Sequence, residues 1–211
     1  MAKLYFRYGA MNCGKTTNLL QVAHNYEEQG MKVLVMKPSI DTKGGKKMVS
    51  RVGMEREVDL LLANNDRVLD YLDVECLPNA IIVDEAQFLT KEQVDELWTV
   101  AKIYEVPVLA YGLRTDFLTN AFPGSARLLA LADTIEEIKN ICKCGKKATQ
   151  NMRLYNGVPI FEGESVLIDE NSDLDNKKQI DYNYEPVCGT CYIKIRKKYW
   201  FLHNNMLELI S

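Results

Sequence analysis

The chain has 211 residues, 47% of them hydrophobic and 26% charged, a balance that fits one globular unit with or without a small appendage and excludes wholesale disorder. Twenty-six Lys and Arg against 29 Asp and Glu leave a formal charge of −3, without the cationic surplus that binding to a nucleic acid polymer demands. No apolar run reaches the roughly 20 residues that span a bilayer, and residues 1–7 carry no signal-peptide pattern, so a cytoplasmic protein with no membrane partner is expected.

Residues 3–8 (KLYFRY) mix apolar and aromatic side chains and predict a buried first strand. Gly9 and Gly14 bracket a loop, and residues 15–29 read as a helix, with Leu19, Leu20, Val22, Ala23 and Tyr26 at helical spacing and Gly30 where a C′ glycine belongs. Residues 32–37 (KVLVMK) form a second strand stopped by Pro38. Strand, glycine loop, helix and strand make a βαβ unit, which implies a right-handed crossover and a parallel sheet.

Further along, residues 41–47 hold little that could be buried and read as a loop, whereas 57–72 predict a helix. Residues 79–85 are an apolar strand running into two carboxylates. Thr90 then caps a helix through about residue 104, with Gln93 at the capping-box position. Another strand at 107–111, a glycine-punctuated loop at 112–124, a short helix to about 132 and a last strand at 133–141 complete an α/β domain over 1–141. Near Cys142 the helical periodicity fades. Asn156-Gly157 and Glu162-Gly163 mark turns between short strands, residues 169–181 are strongly polar and read as exposed, and 142–192 form a small β-rich domain followed by a C-terminal tail, 193–211.

Gly9-Ala10-Met11-Asn12-Cys13-Gly14-Lys15-Thr16 matches the phosphate-loop pattern G-x-x-x-x-G-K-[ST] in full, after a strand and before a helix. Glycines let backbone N–H groups wrap phosphates, and the helix opening at Lys15 directs its positive end at them. Lys15 reaches the β- and γ-phosphates of a nucleotide such as ATP, and the Thr16 hydroxyl is placed for Mg²⁺. Asp84, ending the strand Ile81-Ile82-Val83, is the second Mg²⁺ residue. Glu85 stands one residue beyond, free to act on an attacking water in an NTPase or on a substrate hydroxyl in a kinase.

Six cysteines are present. Cys13 and Cys76 stand alone, whereas Cys142-Lys143-Cys144 and Cys188-Gly189-Thr190-Cys191 form two close pairs. Four thiolates suit a structural Zn²⁺ with a closed tetrahedral shell, tying down a segment too small to build its own core. His24 reads as a surface or packing residue, and the basic run Lys194 to Lys198 as a solvated helix end or tail.

Together, GAMNCGKT, IIVDEAQFL, YGLRTDFLTNAFPGS and the two cysteine knuckles resemble the type II thymidine kinase family in order and spacing, over nearly the whole chain. Such a resemblance implies a RecA-like core with a mainly parallel sheet, a small zinc domain and a homotetramer. It implies transfer of the γ-phosphoryl of ATP to the 5′-hydroxyl of thymidine, with deoxyuridine as second substrate and thymidine triphosphate (dTTP) as feedback inhibitor. Glu85 matches the catalytic carboxylate that takes the hydroxyl proton, Asp84 the Mg²⁺ aspartate, and Ala86 and Gln87 continue the nucleotide-site run. Met11, Phe88, Leu113, Phe117 and Phe122 match residues lining the thymine pocket, joined by Asn151 and Tyr184 from the zinc domain. In this chain the first knuckle has one residue between its cysteines where the family usually has two, and the stretch after Ile168 is longer and more polar. A nucleic-acid-dependent ATPase is the rival reading, since Asp84-Glu85-Ala86-Gln87 resembles a helicase box, but 211 residues leave no room for a second RecA-like domain.

Overall fold

The apolar runs pair side by side into one sheet. A computed structural model describes residues 1–40, 46–164 and 182–208, with side chains up to 202; the sequence expectations for 41–45, for 169–181 and for the long stretch after Ile168 lie outside the described residues. The chain divides into two compact units, the first built from the described parts of Met1–Gly9, Gly14–Arg114 and Ala121–Ile138. Its elements in chain order are β1 (Leu4–Tyr8), α1 (Lys15–Glu28), β2 (Val33–Pro38), β3 (Lys47–Val49), β4 (Glu55–Glu57), β5 (Leu60–Leu62), β6 (Ala80–Val83), α2 (Lys91–Ile103), β7 (Val108–Gly112), α3 (Pro123–Leu131) and β8 (Thr134–Glu137). Six of these strands form an all-parallel sheet in the order β5-β2-β6-β7-β1-β8, while β3 and β4 make a separate antiparallel ribbon.

Strand alternation explains why the central strands are apolar throughout. In β6, Ile81 and Val83 pack with Val94, Leu97 and Val100 of α2 and Leu128 of α3; Ala80 and Ile82 pack on the opposite face with Leu19, Leu20 and Ala23 of α1. A sheet covered on both faces has no wet side on which to place polar residues. Because the strands are parallel, the loops after β1, β6 and β7 all leave from the carboxyl edge, where open α/β sheets bind their ligands.

The α/β class and the βαβ start agree with the sequence reading, and the Thr90 capping box forms in full, with Gln93 N donating to Thr90 Oγ1 at 3.2 Å and Thr90 N to Gln93 Oε1 at 3.1 Å. Two expectations fail. The last strand, expected at 133–141, is split: Thr134–Glu137 joins the parallel sheet, and Asn140–Ile141 is a separate strand of the second unit. Residues 57–72 are not a helix: Glu57 ends β4, Leu60–Leu62 is the edge strand β5, and Val68–Tyr71 is a single 3₁₀ turn. Leu60, Leu61 and Leu62 pair in parallel with Met36, Lys37 and Pro38, so the three leucines serve a sheet edge that helix propensity does not anticipate. Asp66 Oδ2 then accepts from Ala63 N at 2.8 Å and turns the chain away.

The second unit comprises Ala10–Cys13, Thr115–Asn120 and the described residues from Lys139 onward. It contains the hairpin β9 (Asn140–Ile141) and β10 (Lys147–Ala148), a three-stranded antiparallel sheet β12 (Val158–Ile160), β11 (Gln150–Tyr155) and β13 (Tyr182–Val187), and helix α4 (Gly189–Glu208). Asn156 and Gly157, both left-handed at φ 46° and 78°, close the β11–β12 hairpin in the manner its right-handed twist requires. Its core joins Met152, Leu154, Phe161 and Val187 to Cys142, Cys188 and Tyr192, with Ile195 and Tyr199 packing in from α4. The basic run Lys194 to Lys198 thus lies within a helix. Among the described residues no helix is long and apolar enough to cross a membrane.

Candidate active site

The loop 9–16 leaves β1 and feeds α1, whose N-cap Gly14 sits at φ 85°, a conformation that a side chain would strain. No side chain caps this helix and no acidic residue occupies its first turn, so its positive end is not countered from within the helix. Lys15 is buried, its Nζ 3.4 Å from Gly9 O. Thr16 Oγ1 lies 3.4 Å from Asp84 Oδ2, which brings together the hydroxyl and carboxylate expected to serve a divalent cation. Both are hard oxygen donors of the kind Mg²⁺ takes, so this pair fits that ion. Behind them, the buried Tyr111 hydroxyl donates to Asn18 Oδ1 at 2.9 Å and accepts from Arg7 Nη1 at 2.7 Å, tying α1 to the sheet.

Asp84 sits at the end of β6, its backbone N–H bonded to Met36 O at 3.0 Å. Glu85 follows in a left-handed conformation, φ 49° and ψ 37°, and caps the 3₁₀ turn Ala86–Phe88. A non-glycine residue there costs on the order of 1–3 kcal/mol, and such strain clusters at functional sites. Gln87, fully buried, donates from Nε2 to Glu85 Oε2 and accepts at Oε1 from Leu113 N at 3.0 Å. Phe88 meets Phe122 edge to face, ring centroids 5.6 Å apart, and Leu113 is the first residue after β7. Phe88, Leu113 and Phe122 therefore belong with Asp84 and Glu85 in the first unit.

Met11, Phe117, Asn151 and Tyr184 fall in the second unit. Asn151 is buried on β11 and its Oδ1 accepts from Met11 N at 2.7 Å, while Asn140 Nδ2 donates to Met11 O at 2.9 Å. Two asparagines thus hold the two peptide groups that flank Met11 in the loop 9–16. Phe117 lies under the guanidinium of Arg153, 3.6 Å from ring centroid to Cζ, and Arg153 Nε donates to Tyr184 Oη at 2.9 Å. Arg153 is 1% exposed. Sequence reasoning passed over Asn140 and Arg153; the only signal for the arginine was a cation inside the otherwise apolar run Met152-Arg153-Leu154.

The sulfurs of Cys142, Cys144, Cys188 and Cys191 all lie within 4.8 Å of one another, with Cys144 Sγ to Cys188 Sγ at 3.6 Å and no disulfide among them. A tetrahedral zinc with bonds near 2.3 Å separates its sulfurs by about 3.8 Å, so this donor set fits Zn²⁺. The short first knuckle succeeds because Gly145, at φ 83°, turns the chain between β9 and β10 while its N–H bonds to Cys142 O at 2.8 Å. Backbone N–H groups of Cys144 and Cys188 lower the Cys142 thiol to about 6. The Cys191 N–H, 3.4 Å from Cys188 Sγ, lowers Cys188. Cys191 is pushed up to about 12, chiefly by hydrogen bonding of its thiol to the sulfurs of Cys144, Cys188 and Cys142.

A family model described as thymidine kinase matches residues 2–192. A protein named thymidine kinase from Streptococcus pyogenes serotype M3 is 44% identical over 195 residues, covering 91% of this chain and 97% of its own. A thymidine kinase of Francisella tularensis subsp. holarctica is 43% identical over 192 residues, 89% of this chain and 95% of its own. Among solved structures, Bacteroides Pif1 bound to ssDNA covers 64% of this chain and 38% of its own at 18% identity and a TM-score of 0.37, a likeness too slight to carry an argument.

Proposed function

Because the chain belongs to the thymidine kinase family, we propose that it transfers the γ-phosphoryl group of ATP to the 5′-hydroxyl of thymidine, with Glu85 as the general base. The observation that carries this reading is the pair of carboxylates at the end of β6, where Asp84 turns toward Thr16 of the phosphate loop and Glu85 stands next to it. A primary alcohol is a weak nucleophile, and a carboxylate within hydrogen-bond reach takes its proton as the phosphoryl group leaves ATP. The loop 9–16 holds the phosphates through backbone N–H groups, and Lys15 balances the charge on the transferring group. Thr16 and Asp84 would hold Mg²⁺, which when bound neutralises charge on the β- and γ-oxygens. Ala86 continues the turn that carries Glu85.

Thymidine is held, in this reading, by Met11, Phe88, Leu113, Phe117 and Phe122, with Asn151 and Tyr184. Apolar and aromatic walls suit a flat pyrimidine, and the same walls accept deoxyuridine, which lacks only the 5-methyl group. Cys142, Cys144, Cys188 and Cys191 would hold a Zn²⁺ whose role is structural, tying the short strands of the second unit to α4. Six cysteines that form no disulfide suit the reducing cytoplasm. Feedback inhibition by dTTP and a homotetramer complete the proposal.

Purified protein incubated with ATP, Mg²⁺ and each common deoxynucleoside tests it by direct measurement of the nucleoside monophosphate. Turnover of thymidine and deoxyuridine far above deoxycytidine and the purines is expected. ATP hydrolysis that needs single-stranded DNA, with no nucleoside phosphorylated, would replace the kinase by a nucleic-acid-dependent ATPase.

A further inference from the structure

Glu85 has little of its own to hold it. Its backbone is left-handed, it precedes a turn of only three residues, and no helix or strand fixes its side chain. A base in that position needs an external partner if its carboxylate is to meet a hydroxyl within a few tenths of an ångström. Gln87 supplies one. Leu113 N–H can only donate, so the atom 3.0 Å from it must be the amide oxygen of Gln87. The amide nitrogen is thereby directed at Glu85 Oε2, 2.5 Å away, and because that nitrogen only donates, the carboxylate receives it as an acceptor. Both ends of the Gln87 side chain are engaged within the protein, at 1% exposure.

The anchor itself is rigid. Leu113 O accepts from Ser125 Oγ, so the Leu113 backbone is held on both sides of its Cα, at its N–H by Gln87 and at its C=O by α3. Two glycines let the turn dock directly on its neighbours. A Cβ on Gly112 would lie 2.8 Å from Gln87 Oε1, and one on Gly124 would lie 2.7 Å from both Ala86 O and Leu89 O. A continuous series of hydrogen bonds thus runs from Ser125 through Leu113 and Gln87 to Glu85.

We infer that Gln87 is a positioning residue, which acts through its hydrogen bond to Glu85 rather than by touching the nucleotide. It rests on the reading of Glu85 as the base. Anchored on Leu113, the amide keeps one carboxylate oxygen occupied and fixes the direction of the other.

The test is a double-mutant cycle on the full-length protein, with Gln87→Met alone, Glu85→Gln alone and the two together, measuring kcat and both KM values. Gln87→Met matches the size and removes the hydrogen bonds; it is expected to lower kcat about 10- to 100-fold, as small misplacements of catalytic groups do, with the KM for ATP and thymidine close to the parent's. In the Glu85→Gln background the same change is expected to cost nothing further. Gln87→Glu retains an acceptor for Leu113 N–H while losing the donor, is expected to lower kcat at least as far, and carries the test if the methionine variant does not fold. An unchanged kcat, an equal loss in both backgrounds, or a loss confined to the KM for ATP would each overturn the positioning role. Failure of the underlying reading looks different: Glu85→Gln by itself would then keep near-parental kcat, whatever Gln87 does.

Discussion

The two units solve the problem of stability in opposite ways. In the first, a six-stranded sheet is sandwiched between α1 on one face and α2 and α3 on the other, and its two cores are aliphatic nearly throughout. In the second, a three-stranded sheet and one long helix enclose a smaller core, in which Cys142 and Cys188 stand among Met152, Leu154, Phe161 and Tyr192. Apolar burial at roughly 25 cal/mol per Å² sustains the first kind of core, but a segment of this size falls short and needs a staple. Stability drawn from packing is spread over many side chains. Stability drawn from the proposed zinc would be concentrated in four ligands.

The comparison breaks most visibly if the staple is removed. Trp98 lies on α2 and Trp200 on α4, so single-tryptophan variants report the two units separately by fluorescence. Cys188→Ser, or chelation of the proposed zinc, is expected to abolish the folded signal of Trp200, since a structural zinc contributes on the order of 10 kcal/mol of apparent binding free energy. The Trp98 signal is expected to persist. Loss of both signals together would show one cooperative unit and end the contrast.

Next in size is a cavity in the aliphatic core. Leu97 is fully buried, and Leu97→Ala is expected to cost about 2–5 kcal/mol in urea unfolding followed at Trp98. A loss under 1 kcal/mol would mean the core closes around the gap and is less tightly packed than the burial implies. Thr90→Ala removes one half of the capping box and is expected to cost about 1 kcal/mol in the same assay.

The smallest effect sharpens the electrostatics. Hydrogen bonds from Lys102 and then from Leu4 N–H hold Asp133 below the usual carboxylate range. A carboxyl group depressed in the folded state stabilises above its unfolded pKa and loses that contribution as pH falls through the folded value. Asp133→Asn is therefore expected to lower stability by about 0.5 kcal/mol near neutral pH, discounted for solvent screening, and to match the parent in acid. A deficit that stayed constant down to pH 2 would assign the effect to something other than charge.

How far the sequence could be read tracks how local each signal is. The glycine-bounded loop between β1 and α1, the Thr90 cap and the Asn156-Gly157 turn are written in consecutive residues, and each is found where the sequence put it. The leucines at 60–62 misled because three apolar residues in a row fit a helix face or a sheet edge equally, and the neighbour that decides is β2, more than 20 residues earlier. The supports of the site were hidden for the same reason. Gln87 gains its meaning from Leu113, 26 residues on, and Asn151 and Asn140 from Met11, which lies 140 and 129 residues before them.

Sequence alone determined the class of fold, the glycine-bounded loop that opens α1, the two carboxylates after β6 and the two close pairs of cysteines, because periodicity, turn chemistry and ligand spacing act over a few bonds. Tertiary structure alone decided that Ala10–Cys13 and Thr115–Asn120 join the second unit and that a one-residue knuckle still gathers four sulfurs within 4.8 Å. It also decided that a buried glutamine reaches the candidate base. Those outcomes depend on which distant strands lie side by side, and that is fixed by the packing of whole faces rather than by any short run of residues.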